Sequence, residues 1–561
     1  MRRAILALAA VGVAGCAAGP EPGPDICAIG RTSASLGLAD RAIVGPADLY
    51  PADGSLRGRE EELRRSQEAR RQAAWAAAGR VLAPVALAED LPSGVTAELP
   101  RFQTWYGRDD FQRLFHRLYE GLGPAGRAAR APFGDAAIDD ALGWNAGAVH
   151  ESENWPLERY QAYVAAIDLQ AEVGGTGGIG RVAYSPGAVR HLLGSYAATL
   201  PCVRGEAPPA FVDGAGPPDR RLVRQPLDIP ACGRREIGPF FVAGGETLRA
   251  EAEGDGAATL RLLAGPAEAR EEVCGAGPGE ACVANGPGPV VVEVTASDPG
   301  GRAVVTVELG EARPTWAACL AGPFPLDAAV VKADWRRADF GAPLAVHDTS
   351  AEALRRRLAE GQDWGEGEGA ADPDPEADEI DSVTLPNGQR YRLAALHVMT
   401  KELDHWMWLT LWWSPDPDAD FGADRPAAIA ELGPPWSHYK MCAVASFREE
   451  DLDPAGGYTE TAPTLAAALA AAHTGAGGPS WCSSPYLELG SGNAATNCIG
   501  CHQHGGTGLA PETILADPRF PERGRIQVRN NFATDYSWAV DSGDRLGRII
   551  ADEVEYHDSF E

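Results

Sequence analysis

The segment with the most specific chemistry in this sequence is Cys498-Ile499-Gly500-Cys501-His502. Two thiols separated by two residues can each form a thioether to a haem vinyl group, and the adjacent histidine can then ligate the iron. With 11 cysteines and 11 histidines in 561 residues, such a motif would arise by chance roughly 0.004 times per chain. The motif therefore predicts one covalent haem c, bound by Cys498 and Cys501, with His502 as the proximal iron ligand.

A Cys-x-x-Cys pair has two other common uses, a thioredoxin-like redox pair and half of a zinc site. A redox pair requires a βαβ setting, which residues 481–497 do not indicate. A zinc site requires a second pair of ligands, whereas the remaining cysteines are scattered along the chain. Haem is therefore the favoured interpretation.

The residue opposite His502 would decide what the haem does. No methionine follows the motif, so the small helical cytochrome c fold is not expected. His504 is too close in sequence to reach the far side of the haem, and His557 lies in a polar tail. The candidate sixth ligands all precede the motif, and they are Met399, Met407, Met441, His397, His405 and His438.

Two segments before the motif are expected to build the haem pocket. Residues 324–338 contain an apolar strand that enters Lys332, and residues 385–413 have the pattern of a β-hairpin. In its second arm, side chains alternate between the two faces of the strand. The residues expected on one face are Trp406, Trp408, Thr410 and Trp412. Such an aromatic stripe is either core or cofactor wall, and the pattern does not distinguish them.

These features together resemble the cytochrome P460 and cytochrome c′-β family. The features are Val330-Val331-Lys332, a strand running into Lys401, the Trp-rich strand, the late haem motif and Thr534-Asp535-Tyr536-Ser537-Trp538. The resemblance covers two pieces of the chain. It implies a β-sheet haem pocket, a five-coordinate iron with an open distal side, and a lysine cross-linked to the haem, for which Lys332 and Lys401 are the candidates.

The chain also resembles larger monohaem lipoproteins of bacteria. The shared segments are LPRFQTWYG at 99–107, KADWRR at 332–337 and NCIGCH at 497–502.

The first residues have the pattern of an export signal. Arg2 and Arg3 precede an apolar run at 4–13, which is too short to span a bilayer. Val13-Ala14-Gly15-Cys16 resembles the bacterial lipobox, which implies cleavage before Cys16, lipidation of Cys16 and a membrane anchor. Cleavage after an Ala-x-Ala site is the alternative. Ala17, in place of aspartate, favours the outer membrane over the inner membrane, with the protein on the periplasmic face.

Composition changes along the chain predict a multidomain α+β fold. Residues 108–121 have apolar side chains at helical spacing, whereas short alternating runs at 233–312 indicate strands. The acidic run at 360–381 could offer calcium ligands, but it lacks the order of a known calcium loop and is interpreted as a linker. The expected units are a signal peptide (1–15), a tether (16–55), a helical domain (56–202), a small antiparallel β-sandwich (225–312), an acidic linker (360–382), and a β-rich haem domain (313–359 and 383–561).

Histidines and cysteines outside the motif have simpler interpretations. His116, His150 and His191 lie in or beside expected helices and are interpreted as packed or surface residues rather than ligands. Eight cysteines remain after Cys16 and the motif are set aside, and an even number in an exported chain suggests disulfides. The expected pairs are Cys274–Cys282 and Cys442–Cys482; sequence does not pair Cys27, Cys202, Cys232 and Cys319.

The net charge of −30 limits the partners of the chain. A polyanion such as nucleic acid would be repelled, and a basic redox protein would be attracted. Electron transfer by an anchored monohaem cytochrome is the first hypothesis, in preference to a dedicated enzyme. The second is a five-coordinate haem protein that binds, oxidises or reduces a small molecule such as NO or hydroxylamine, and the third is a surface lipoprotein that binds a partner.

Overall fold

The fold is known from a computed structural model, which describes part of the chain. The described residues are 47–86, 98–143, 178–204, 206–207, 221–242, 247–254, 258–265, 269–285, 288–296, 300–309, 316–320, 322–338, 344–350, 353, 375–384, 390–403, 406–445, 482–487, 498, 502, 540 and 545–559. The expected signal peptide, Cys16, Cys501, His504, most of the acidic linker and most of the tether lie outside these residues.

Side chains cap the starts of the helices Gln67–Leu82 and Arg108–Gly121. Ser66 accepts a hydrogen bond from the Ala69 amide at 3.1 Å, and Asp110 accepts one from the Gly107 amide at 2.9 Å, so both helix starts are capped by side chains. The described helices are α1 (Glu60–Arg65), α2 (Gln67–Leu82), α3 (Arg108–Gly121), α4 (Gly123–Ala128), α5 (Asp135–Leu142), α6 (Pro186–Val203), α7 (Trp316–Cys319), α8 (Ala427–Ala430) and α9 (Leu546–Asp558). Short 3₁₀ helices lie at Gly54–Arg59, Arg101–Thr104, Asp420–Gly422 and Pro434–His438.

Strands occupy the segments rich in β-branched and aromatic residues. They are β1 (Pro84–Ala86), β2 (Glu98–Pro100), β3 (Gly178–Tyr184), β4 (Arg221–Ile229), β5 (Arg234–Val242), β6 (Thr247–Gly254), β7 (Ala258–Ala264), β8 (Glu271–Ala276), β9 (Ala281–Asn285), β10 (Gly288–Ala296), β11 (Gly301–Leu309), β12 (Ala329–Arg337), β13 (Ser382–Thr384), β14 (Arg390–Thr400), β15 (Met407–Trp413) and β16 (Tyr439–Val444). Helices and antiparallel sheets together make this an α+β protein, as predicted.

The largest sheet is antiparallel and has the order β16-β15-β14-β12-β3, with β13 paired to β14. The predicted hairpin is present as β14 and β15, in which Val398 pairs with Leu409. The predicted strand at Lys332 is β12, which lies between β14 and β3.

Described elements of the ranges predicted for the helical domain and the haem domain pack together. Strand β3 belongs to the range 56–202 but pairs along its whole length with β12. Buried side chains of both ranges also form one hydrophobic cluster, in which Trp75 and Phe115 join Trp335 and Trp412. The physical reason is that the apolar side of a helix must be buried against another element. Helix α2 packs on β15 and β16, whereas α3 packs on α5 and α9.

Strands β4 to β11 form two four-stranded sheets, in the orders β5-β10-β7-β8 and β4-β11-β6-β9. Alternating residues such as Leu260, Leu262 and Val305 are fully buried in a second hydrophobic cluster of their own. The predicted β-sandwich segment therefore has a core separate from that of the large sheet.

Three disulfides are present among the described residues. The pairs Cys274–Cys282 and Cys442–Cys482 confirm the two pairings expected from sequence. The third, Cys202–Cys319, joins α6 to α7 across a sequence separation of 117, which is why local spacing did not indicate it. Within the described part of the chain, no helix combines the length and apolar character that a bilayer crossing requires.

Candidate functional site

One face of the large sheet lies beside His502, and we name it the docking face. Strand register aligns its side chains in rows. One row is Lys332, His397, Thr410 and Cys442, and the next is Val330, Met399, Trp408 and Val444. Because side chains two residues apart on a strand point to the same side, both rows share this face.

His502 lies against this face. The imidazole of His502 is half-buried, and its centroid lies 4.4 Å from the ring of Trp408, with 47° between the planes. Cys498 is 6% exposed and belongs to the main hydrophobic cluster. Cys501 lies outside the described residues. The structure therefore brings His502 to the Trp-rich strand that the sequence indicated, and it buries Cys498 in the main hydrophobic cluster.

His397 is a second histidine on the docking face. Its pKa is held well below the usual histidine range, first because burial penalises the charged ring, and then because Lys332 and His502 repel a further positive charge. A neutral imidazole is the form that ligates metals. The lowered pKa favours the neutral form of the His397 ring.

Thr410 contributes a polar atom without a hydrogen-bond partner. The residue is fully buried, and its Oγ1 atom has no partner among the described residues. A buried hydroxyl in this state costs roughly 1–3 kcal/mol. The alternation in the sequence predicted that Thr410 shares a face with Trp408, but it gave Thr410 no function.

A short segment upstream of the motif is fixed to the docking face. The disulfide Cys442–Cys482 joins it to β16. The Tyr486 hydroxyl donates to the Ala345 carbonyl at 2.5 Å, and the Arg336 guanidinium donates to the Tyr486 carbonyl at 2.8 Å. These contacts therefore hold residues 482–487, which precede Cys498, against the sheet.

Lys401 and Trp406 belong to a second group at the end of β14. Lys401 is buried, and its Nζ lies 5.4 Å from the centroid of the Trp406 ring. Trp406 also packs on Phe324 with centroids 5.4 Å apart, and Phe324 packs on His191 at 4.8 Å. The structure thus places Lys332 and Trp408 on the docking face with His502, and Lys401 and Trp406 with His191.

Trp406 departs from the strand pattern expected for it. It precedes β15 and has φ of 68°, a left-handed conformation that interrupts the alternation of side chains. The stripe shared on one face of β15 therefore consists of Trp408, Thr410 and Trp412, without Trp406.

The candidates for the sixth iron ligand do not all lie on the docking face. His397 and Met399 lie on the docking face, whereas Met407 and Met441 alternate onto the opposite face. His438 adjoins Tyr439, which pairs with Trp413 at the end of β15 farthest from Trp408. His405 lies outside the described residues. Two of the six candidates are therefore on the same face as His502.

Comparisons with known proteins do not assign the chain to a family. No protein-family model matches it, and no curated protein matches it. A structure of hydroxypropylphosphonic acid epoxidase from S. wedmorenis has a TM-score of 0.14 and 14% identity, over 36% of this chain and 98% of that chain. A structure of the Yersinia pseudotuberculosis-derived mitogen has a TM-score of 0.14 and 12% identity, over 16% of this chain and 87% of that chain. TM-scores this low establish no common fold.

Proposed function

We propose that this chain is an exported, lipid-anchored monohaem c-type cytochrome. Cys498 and Cys501 would bind the haem covalently, and His502 would ligate its iron. The observation that carries the proposal is the position of His502 beside the aromatic ring of Trp408 on the docking face, with Cys498 buried in the main hydrophobic cluster.

The residues on the docking face fit a haem. A porphyrin needs a flat apolar surface, which Trp408 and Met399 offer, and iron needs nitrogen or sulfur donors, which His502, His397 and Met399 carry. The buried hydroxyl of Thr410 offers a hydrogen bond to a polar group of the cofactor. A bound haem would supply one-electron redox chemistry to this site.

Electron transfer is the function that we place first. A second protein ligand would keep the iron low-spin, and His397 is a candidate because it lies on the docking face, where burial lowers its pKa. The net charge of −30 favours a basic redox partner over nucleic acid. The lipobox-like segment at Cys16 would hold the protein at the periplasmic face of the cell envelope, preferentially at the outer membrane.

A second function is favoured by one specific observation. Lys332, the first of the two lysines considered for a haem cross-link, pairs in register with His397 on the docking face, whereas Lys401 lies beside Trp406. This placement suits a P460-like haem protein with an open coordination site, which would bind or transform a small molecule such as NO or hydroxylamine.

The first test is haem attachment. Full-length protein, matured with a working cytochrome c attachment system, is expected to contain one covalent haem by the pyridine haemochrome spectrum and by mass. Cys498→Ala with Cys501→Ala should abolish the attachment, and Cys232→Ala, at an exposed cysteine in the β-sandwich, should retain it. Matured wild-type protein without haem would overturn the proposal.

The second test separates the two functions. A low-spin reduced spectrum that carbon monoxide does not change indicates electron transfer, and His397→Leu should then produce a high-spin, carbon monoxide-binding form. Met407→Leu, on the opposite face of the sheet, is the matched control and should leave the spectrum unchanged. A wild-type protein that binds carbon monoxide at once would instead support the open, P460-like site, and Lys332→Ala should then release any cross-link that Lys401→Ala retains.

A further inference from the structure

Helices α3 and α9 bring four groups capable of metal ligation together, at a place distinct from the docking face. His116 and Glu120 are four residues apart on α3, and Glu553 and His557 are four residues apart on α9. Residues with this spacing share one side of a helix. One ligand atom each from His116, Glu120 and His557 lies within 4.8 Å of the other two.

We propose that this cluster is a zinc site. The ligands are Nε2 of His116, the carboxylate of Glu120 and Nε2 of His557, and together they hold the C-terminal helix α9 against α3. This site goes beyond the proposed function, since it needs neither haem nor the docking face.

An unsatisfied nitrogen points to a missing ligand. His557 is 8% exposed, and its Nε2 atom is buried with no hydrogen-bond partner among the described residues. Its ring lies 5.3 Å from the ring of His116, centroid to centroid. Because a buried nitrogen without a partner is unfavourable, a metal bound between the two rings would remove this penalty.

The surroundings of His116 match those of a metal-bound histidine. Its Nδ1 atom lies 2.8 Å from Oε2 of Glu553. Oε1 of the same carboxylate accepts a hydrogen bond from the Gln112 amide at 3.0 Å, so Glu553 is fixed in place. A histidine that donates Nδ1–H to a carboxylate directs the Nε2 lone pair outward, and this pairing is typical of metal-bound histidines. His116 Nε2 lies 3.5 Å from Oε1 of Glu120.

The donor set indicates the metal. Two imidazoles and one carboxylate suit Zn²⁺ and similar transition metals, whereas Mg²⁺ and Ca²⁺ prefer sites made of oxygen alone. Solvent reaches the cluster, because the side chains of His116 and Glu120 are 37% and 58% exposed. Zinc can therefore enter from the surface, and the fourth position is open to water.

The experiment is a Zn²⁺ titration of the full-length protein by calorimetry, after treatment with EDTA and removal of any affinity tag. The wild type is expected to bind one Zn²⁺, which also raises its Tm. His557→Gln and Glu120→Gln should each weaken this binding at least tenfold, and Glu553→Gln should weaken it about 10–100-fold because the ring of His116 loses its orientation. Glu555→Gln, the same change at an exposed position of α9, should leave the affinity unchanged.

X-ray absorption at the zinc edge identifies the ligands. Nitrogen and oxygen at about 2.0–2.1 Å support the site, whereas sulfur at about 2.3 Å would assign the metal to cysteines and overturn it. Equal affinities of the wild type and Glu120→Gln would also overturn it, and would leave the pair His116–Glu120 as an ordinary helix contact. Since Glu120 is exposed, this variant should fold like the wild type and decides the matter even if His557→Gln does not fold.

Discussion

Glu402 is a buried carboxylate that joins three parts of the chain. It is fully buried and accepts hydrogen bonds from the Tyr50 hydroxyl at 3.0 Å, the Asp53 amide at 2.6 Å and the Thr400 hydroxyl at 2.8 Å. The guanidinium of Arg80 on α2 pairs with it at 2.6 Å. A buried charge with this many partners is stable only as a complete set.

We predict that Glu402→Ala lowers the free energy of unfolding by roughly 3–5 kcal/mol, because Arg80 is left without its buried partner. Urea denaturation followed by circular dichroism measures this loss. Glu62→Ala, which breaks an exposed pair with Arg59, is the matched control and should change little. Equal effects of the two variants would contradict the role assigned to burial.

His191 makes stability depend on pH. Burial lowers the pKa of His191 from 6.5 to about 4. Between these pH values the ring stays neutral in the native state and takes up a proton in the unfolded state, so stability falls as the pH is lowered. We predict that His191→Gln removes up to about 3 kcal/mol of this fall between pH 6.5 and 4. Urea titrations at several pH values measure the free energy of unfolding. If this free energy falls equally as the pH is lowered in the wild type and in His191→Gln, the prediction is refuted.

At the scale of elements, the segment 482–487 depends on its disulfide. Cys442–Cys482 closes a sequence separation of 40 residues, and loss of such a crosslink costs roughly 3–4 kcal/mol by loop entropy. We predict this loss for Cys442→Ser with Cys482→Ser, together with faster amide exchange in 482–487, measured by hydrogen exchange mass spectrometry. Cys274→Ser with Cys282→Ser is the control and should leave exchange in that segment unchanged.

At the scale of the whole molecule, the described residues contain two hydrophobic cores. The β-sandwich strands have their own buried cluster, whereas α2, α3, α6, α9 and the large sheet share the other. Elements that share few buried contacts can unfold as separate cooperative units.

We predict two transitions in scanning calorimetry. Cys274→Ser with Cys282→Ser removes a disulfide that closes a separation of 8 residues in the β-sandwich. This change should lower the melting temperature of one transition, by an amount equivalent to a stability loss of roughly 2–3 kcal/mol. Glu402→Ala should lower the melting temperature of the other transition only. A single transition that both variants lower would contradict the independence of the two cores.

Local patterns in the sequence determined several elements of this protein. The 3.6-residue period of Phe111, Leu114, Phe115 and Leu118 predicted α3, and the alternation expected from Trp406 onward predicted β15, which begins one residue later. The disulfide Cys274–Cys282 joins neighbouring strands, so spacing was sufficient to predict it. These features depend on residues close together in the chain, where backbone period and spacing act directly.

Only the tertiary structure decided which elements meet. Strand β3 pairs with β12 although Tyr184 and Val330 are far apart in sequence. His557, expected in a polar tail, is buried on α9, where Leu546, Ile550 and Val554 form an apolar face. That face and the polar contact from Glu553 to His116 hold α9 on α3. The hydrophobic period of a helix or strand shows which of its sides is apolar, but packing across the whole chain selects the element against which that side is buried. For this reason the docking face and the α3–α9 cluster appear only in the fold.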